Sequence, residues 1–103
     1  RSYGWEVREN PEEIVRLTIP QEFDVVYETY NELEKGAGFD LSPHKGIKAT
    51  RYSYRVLNHA DSGTGLIRAN VFVTKAGIVA ADICSLELGG FLLPINDTAD
   101  MVH

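Results

Sequence analysis

The chain has a single cysteine, Cys84, in 103 residues. No internal disulfide can form, so a disulfide-stapled scaffold is excluded and the fold must rest on a packed core. That shortage does not separate cytoplasm from cell exterior. Positive charge is short too: ten Lys and Arg stand against fifteen Asp and Glu, for a net charge of −5. A nucleic-acid binder needs a basic footprint to neutralise phosphates, so the expectation is no nucleic-acid partner. No apolar run approaches the ~20 residues of a membrane-spanning helix. The longest cluster, FLLPI at 91–95, contains a proline. No direct membrane insertion by these residues is expected. P-loop, GxGxxG, GxSxG, CxxC and HExxH spellings are all missing. Gly36-Ala37-Gly38 reads as following a helix, whereas phosphate-cradling glycines precede one.

What remains is the composition of an ordinary globular domain. Hydrophobic residues make up 44% and charged residues 24%, enough apolar side chains for a core and no sign of a disordered chain. The length fits one domain. The reading is a single domain over 1–95 and a weakly ordered C-terminal tail over 96–103. The chain starts at Arg1, and the expectation is a longer product with any signal peptide or anchor upstream.

Periodicity supplies the elements. GWEV (4–7) reads as a short strand, and Asn10-Pro11 marks a turn. In IVRLTI (14–19) Val15, Leu17 and Ile19 alternate with Arg16 and Thr18, which is strand patterning. The two strands are expected to pair across the Asn-Pro turn. Pro20 ends the second strand and suits a helix start. From 21 to 38, Phe23, Val26, Tyr27, Tyr30, Leu33 and Ala37 recur at three and four, the stripe of an amphipathic helix. Its acids Glu22, Asp24, Glu28, Glu32 and Glu34 read as a solvated face. Three further strands are expected at 47–58, 66–74 and 78–87, with loops between. The order strand-strand-helix-strand-strand-strand is that of an α+β domain. The architecture expected is two-layer: an antiparallel sheet of about five strands with one helix packed on one face.

The register of the last two strands can be argued from pattern. A three-residue loop, Lys75-Ala76-Gly77, gathers Ile67, Ala69, Val71, Val73, Val79, Ala81 and Ile83 on one face. It also gives Gly77 the left-handed position of a bulge turn. Asn70 then lies opposite Asp82 and Arg68 opposite Cys84, with Arg68 diagonal to Asp82 and within ion-pair reach. If Arg51, Ser53 and Arg55 look the same way, the sheet has a mixed polar face.

That face carries the candidate site. The partner-binding residues expected are Arg51, Ser53, Arg55, Arg68, Asn70 and Asp82. ADICS (81–85) places an acid, the cysteine and a hydroxyl together, and Cys84 or Asp82 acting in a small hydrolase is the alternative. A reactive thiol needs a base or a helix N-terminus beside it. No histidine falls on these strands, so Cys84 reads as half-buried sheet and no catalytic residue is assigned. Asp40, His44, His59, Asp61, Asp82 and Cys84 lack ligand spacing, so no metal or other cofactor is expected. His44 and His59 read as solvated loop residues. The tyrosines 27, 30, 52 and 54 read as core.

The segments GWEV, TIPQEFDVVYETYNELEKGAGFDLS, KG, RYSYRV, RANVFV, DICS and GGF resemble a small family from clostridia-like bacteria, domain of unknown function 4830. The resemblance runs from about residue 4 to 91, and GFDLS (38–42) and DICS (82–85) are its most specific parts. Where the family has a glycine pair before the aspartate, this chain has Ala80-Ala81. The resemblance implies an extracytoplasmic domain tethered by an N-terminal hydrophobic segment, and it implies no activity or cofactor. Taken together, the expectation is a non-enzymatic binding domain. Its partner would be a protein, a peptide or a cell-wall component, and the domain itself a monomer or weak homodimer. A structural spacer of a larger envelope protein is the other alternative.

Overall fold

A computed structural model describes residues 3–103. Strand β1 (Glu13–Thr18) leads through helix α1 (Val25–Lys35) to β2 (Lys48–Arg55), β3 (Ile67–Thr74), β4 (Gly77–Ser85) and β5 (Leu92–Pro94). The five strands form one antiparallel sheet in sequence order, so every neighbour pair is consecutive and the helix bridges only β1 and β2. The chain is an α+β domain with an antiparallel five-stranded sheet and, among the described residues, a single α-helix.

The five strands are not all the expected ones. GWEV does not form a strand and does not pair with β1; its only ladder contact is an isolated bridge from Val7 to Val56, just beyond β2. The fifth strand comes from the tail instead, where Leu93 pairs with Ile83 and Leu92 with Cys84. In the segment 96–103, Met101 bridges to His59, and the Val102 amide donates to the Asn58 carbonyl at 2.7 Å.

Both sheet faces are covered, by different means. On the far face Val56, Ile67, Ala69, Ala81 and Ile83 are buried under Trp5 and Ile95, with Phe39 and Phe91 against them. The Trp5 indole N–H donates to the Ile95 carbonyl at 2.9 Å, so the two ends of the chain cover this face together. Full burial of Ile67 or Ile83 contributes about 1.5–3 kcal/mol each. On the helix side Ala49, Val79 and Ala80 pack with Ile19, Leu41, Tyr27 and Tyr30.

Between β3 and β4 the expected pairing holds where it matters and fails at the turn. Asn70 faces Asp82, and Arg68 faces Cys84. The loop, however, has two residues, Lys75 and Ala76, because Thr74 pairs with Gly77. A bulge between Phe72 and Val73 absorbs the difference: Phe72 faces Ala80 while Val73 faces Ile78, leaving Val79 as the extra residue. Val79 therefore joins Ala80 in the helix-side cluster rather than the far face. Gly77 takes φ +106°, a backbone state in which a side chain is strained.

The helix is shorter than 21–38. Asp24 stands at its N-cap and its carboxylate accepts from the Tyr27 amide at 2.9 Å. Its buried side is Tyr27, Tyr30, Asn31 and Glu34, spaced at three and four; Val26 lies off that side and is 72% exposed. Glu34, expected in the solvated acidic face, is fully buried.

Candidate functional site

Cross-strand register sets one row of side chains on the helix side: Glu13 opposite Ser53, Ser53 opposite Asn70, Asn70 opposite Asp82. Odd and even positions alternate, so a serine, an amide and a carboxylate that are distant in sequence meet by pairing alone. They form a continuous hydrogen-bonded ladder. Arg51 Nη1 donates to Ser53 Oγ at 2.7 Å, and Ser53 Oγ donates to Asn70 Oδ1 at 2.6 Å. Asn70 Nδ2 donates to Asp82 Oδ1 at 2.7 Å, and the Tyr30 hydroxyl from α1 donates to Asp82 Oδ2 at 2.6 Å. Arg51 Nη2 closes the outer end on Glu13 Oε1 at 3.1 Å. Each polar atom has a partner of the right kind, which is what a buried network requires.

Of the six candidate residues, the ladder unites Arg51, Ser53, Asn70 and Asp82. Arg55 and Arg68 stand outside it. Arg68 is not paired with Asp82; its guanidinium donates to the Gly65 carbonyl at 2.9 Å and sits 3.9 Å from Glu12. Asp82 instead accepts from Asn70 at one oxygen and from Tyr30 at the other. Arg55 lies over the same turn, where a Cβ on Gly65 would come within 2.9 Å of its guanidinium. Ser53, Asn70 and Asp82 are buried, while the three arginines are half-buried. The face is an internal network with arginines at its rim, and no partner reaches the ladder's centre without moving them.

Electrostatics follow from that burial. Removal from water pushes the Asp82 carboxyl above its ordinary range, opposed by the bonds from Asn70 and Tyr30 and by Arg51. Burial likewise raises the Tyr30 hydroxyl, helped by the charges of Asp82 and Glu34. Cys84 is half-buried and takes a weak bond from Asn70 Nδ2 at 3.2 Å. Burial pushes its thiol up, Asn70 and the arginines pull it down, and Asp82 adds to the rise. The thiol form is favoured, which works against a nucleophilic cysteine.

Sequence reasoning missed Glu34. Its Oε1 accepts from the Ala81 amide at 2.8 Å, at the point where β5 has ended and β4 has no strand beside it. The carboxylate stands in for the missing strand, while its Oε2 is buried without a partner. Burial raises this carboxyl to about 7, against the Ala81 bond and with help from Asp82. The signal was present: residues 27, 30, 31 and 34 share one helix side, and an acid at such a position is half-way to the core.

Asn31 works the other flank of the helix. Its Nδ2 donates to Asp40 at 2.9 Å and its Oδ1 accepts from the Leu41 amide at 2.7 Å. With Ser42 added, these bonds hold the Asp40 carboxyl down at about 2. His59, expected in solvent, is 5% exposed and stacks between Trp5 and Phe91 at centroid distances of 5.8 and 5.0 Å. Its Nδ1 accepts from the Asp61 amide, a structural use of the ring. Among the described residues no three His, Cys, Asp or Glu side chains come together as metal ligands.

Beside the ladder, α1 and the sheet leave a cleft of about 470 Å³. Leu17, Ile19 and Phe72 form its floor, Leu92 one rim, and Val25, Val26 and Tyr30 the helix wall. The wall is hydrocarbon that faces water: Val25 is 79% exposed and Val26 72%. Tyr30 joins the two features, its ring lining the cleft and its hydroxyl holding Asp82.

A family model, domain of unknown function (DUF4830), matches residues 1–83 of the chain. The chain belongs to this family. Neither the curated proteins nor the solved structures give a match. The match spans GFDLS and Asp82 of DICS, whose acids Asp40 and Asp82 bond to Asn31 and Tyr30 of α1.

Proposed function

We propose that the domain is a non-catalytic binding module whose cleft between α1 and the sheet takes an aliphatic stretch of a protein or peptide partner. The observation that carries this reading is the solvated valine wall. Val25 and Val26 contribute nothing to the buried side of the helix, yet they stand side by side above an apolar floor. A binding cleft is commonly an apolar concavity with few polar groups. Hydroxyl-bearing residues on this one are Tyr27, Thr29 and Tyr30, and the Tyr30 O–H is already donated to Asp82. The site therefore suits hydrocarbon and offers little to a sugar or a charged metabolite.

The ladder supports the cleft rather than touching the ligand. It fixes Tyr30, and through it the helix wall, against β3 and β4. Thiol chemistry at Cys84 finds no support in its pairing, since burial and Asp82 both favour the protonated form.

The test is a titration of the isotope-labelled domain with short peptides rich in Leu and Ile, alongside cell-wall fragments, read at the methyl signals of Val25, Val26 and Leu92. Peptides should shift these signals, and Val26→Glu should abolish the effect while leaving Tm within a few degrees. Methyl signals that stay still with every peptide would remove the cleft from consideration. Placement outside the cell membrane on an N-terminal tether belongs to the same proposal and rests on the family resemblance. Protease treatment of intact cells checks it, with cleavage of the domain as the expected result.

A further inference from the structure

We infer that the end of the sheet remote from the Val7–Val56 bridge docks a flexible polyanion, a chain carrying closely spaced phosphates. The argument starts from how the cations are paired. Among the described residues, Arg8, Lys35, Arg51 and Arg68 each have a carboxylate within 4 Å. Arg16, Lys45, Lys48, Lys75 and Arg55 have none; Arg55 is half-buried over Gly65 at the opposite end of β2, while the other four are exposed and lie together at one end of the molecule. In a chain of net charge −5, that end is a separate positive pole. The acids nearest to them in sequence are engaged elsewhere: Glu13 with Arg51, Asp40 with Asn31 and the Ser42 amide, and Asp82 with Asn70 and Tyr30.

Two shallow hollows of about 470 and 450 Å³ share Lys48 at this pole. One adds Lys75 and Thr74, the other Arg16 and Thr18, so each offers ammonium or guanidinium together with a hydroxyl. No Asp or Glu lines either. Neighbouring hollows with a common cation fit anions repeated along one chain.

The cations also wrap around the sheet end. Arg16 and Lys48 share the far face with Tyr52 by register, Lys75 is in the β3–β4 turn, and Lys45 Nζ lies 4.7 Å over the Phe23 ring on the helix side. A flexible chain can follow such a band, whereas a flat bilayer meets one side of it. Ile47, exposed between Lys45 and Lys48, makes a bilayer the competing outcome of the test.

The probe is a medium-length inorganic polyphosphate, with orthophosphate and phosphatidylglycerol vesicles as comparison arms. Polyphosphate should bind at low ionic strength, with log affinity falling against log salt at a slope of about −3, as four neutralised phosphates require. Arg16→Gln, Lys48→Gln and Lys75→Gln combined should reduce that slope by about 2. Lys35→Gln, whose ammonium is paired with Glu32, should change nothing. Val26→Glu should bind polyphosphate like the parent, which separates this surface from the cleft. The inference is overturned by no binding to polyphosphate at low salt, by a flat salt dependence, by a triple variant that binds like the parent, or by capture on the vesicles alone.

Discussion

Replacing Glu34 by Gln should remove a pH dependence from the stability of this domain, and the sign and size can be worked out. The Glu34 carboxyl has an ordinary value of 4.5 and is raised to about 7 in the fold. Between those values the folded chain holds a proton that the unfolded chain has released. Unfolding then sheds protons, so stability falls as pH rises from about 4.5 to about 7 and levels off above. A gap of about 2.5 at about 1.4 kcal/mol each makes the loss on the order of 3 kcal/mol, since the group is fully buried. Asp82, raised by burial too, acts in the same direction. Glutamine keeps an oxygen for the Ala81 amide but buries an N–H₂ where Oε2 has no partner, a cost of about 1–3 kcal/mol at every pH. The signature is therefore the slope and not the level. Thermal unfolding at pH 5 and pH 8 should show the parent dropping by roughly 10–20 °C relative to the variant over that interval. Taking the difference between the two proteins cancels every titration they share. Parallel pH profiles would show that Glu34 does not carry a proton in the fold, and the reasoning would fail.

Three more outcomes are expected. Tyr30→Phe removes the donor to Asp82 Oδ2 and should cost about 1–3 kcal/mol in urea unfolding, more at pH 8 than at pH 5 because the ionised carboxylate needs the donor most. Equal losses at both pH values would count against an ionised Asp82. Cys84 should react with a thiol reagent at neutral pH on the order of tenfold slower in the folded than in the urea-unfolded domain. Equal rates would reopen the thiol reading. Gly77→Ala forces a Cβ onto φ +106° and should cost about 1–2 kcal/mol, whereas Gly63→Ala, with open space around it and no positive φ, should be near neutral.

Pairing that rests on strict alternation was legible in the sequence. The period of two in 67–72 and 80–84 placed Asn70 against Asp82 and Arg68 against Cys84 without any structure. The bulge at Val79 was not legible, because it takes back at the turn the one residue that the two-residue loop removes. The tail strand was hidden for a similar reason: Leu92–Pro94 is three residues long and contains a proline, which only an edge strand tolerates. GWEV was misread since one aromatic and one valine suit a strand, but Trp5 is used as a lid over the far face. The candidate polar row was visible as residues facing one way. Its closure was not, because whether a polar face is solvated depends on what the helix brings to it. Here the helix brings Tyr30.

The parts of the sequence that carry the family resemblance most strongly turn out to be tied to one another. Tyr30 and Asn31 are adjacent on α1; the first bonds to Asp82 of DICS and the second to Asp40 and Leu41 of GFDLS. Glu34, one turn on, accepts from Ala81 through its side chain and from the Phe39 amide through its carbonyl. The same turn of helix thus fastens the β4 edge on one flank and the post-helix loop on the other. Such residues are accounted for by assembly: removing one leaves a buried polar group without its partner, a loss of about 1–3 kcal/mol with no ligand involved. What assembly does not account for is the exposed valine wall of the cleft and the unpaired cations at the sheet end. Neither Val25, Val26, Arg16, Lys48 nor Lys75 holds the fold together, so selection for folding alone gives no reason for them. A search for function should therefore vary those surfaces first and leave the DICS and GFDLS acids intact.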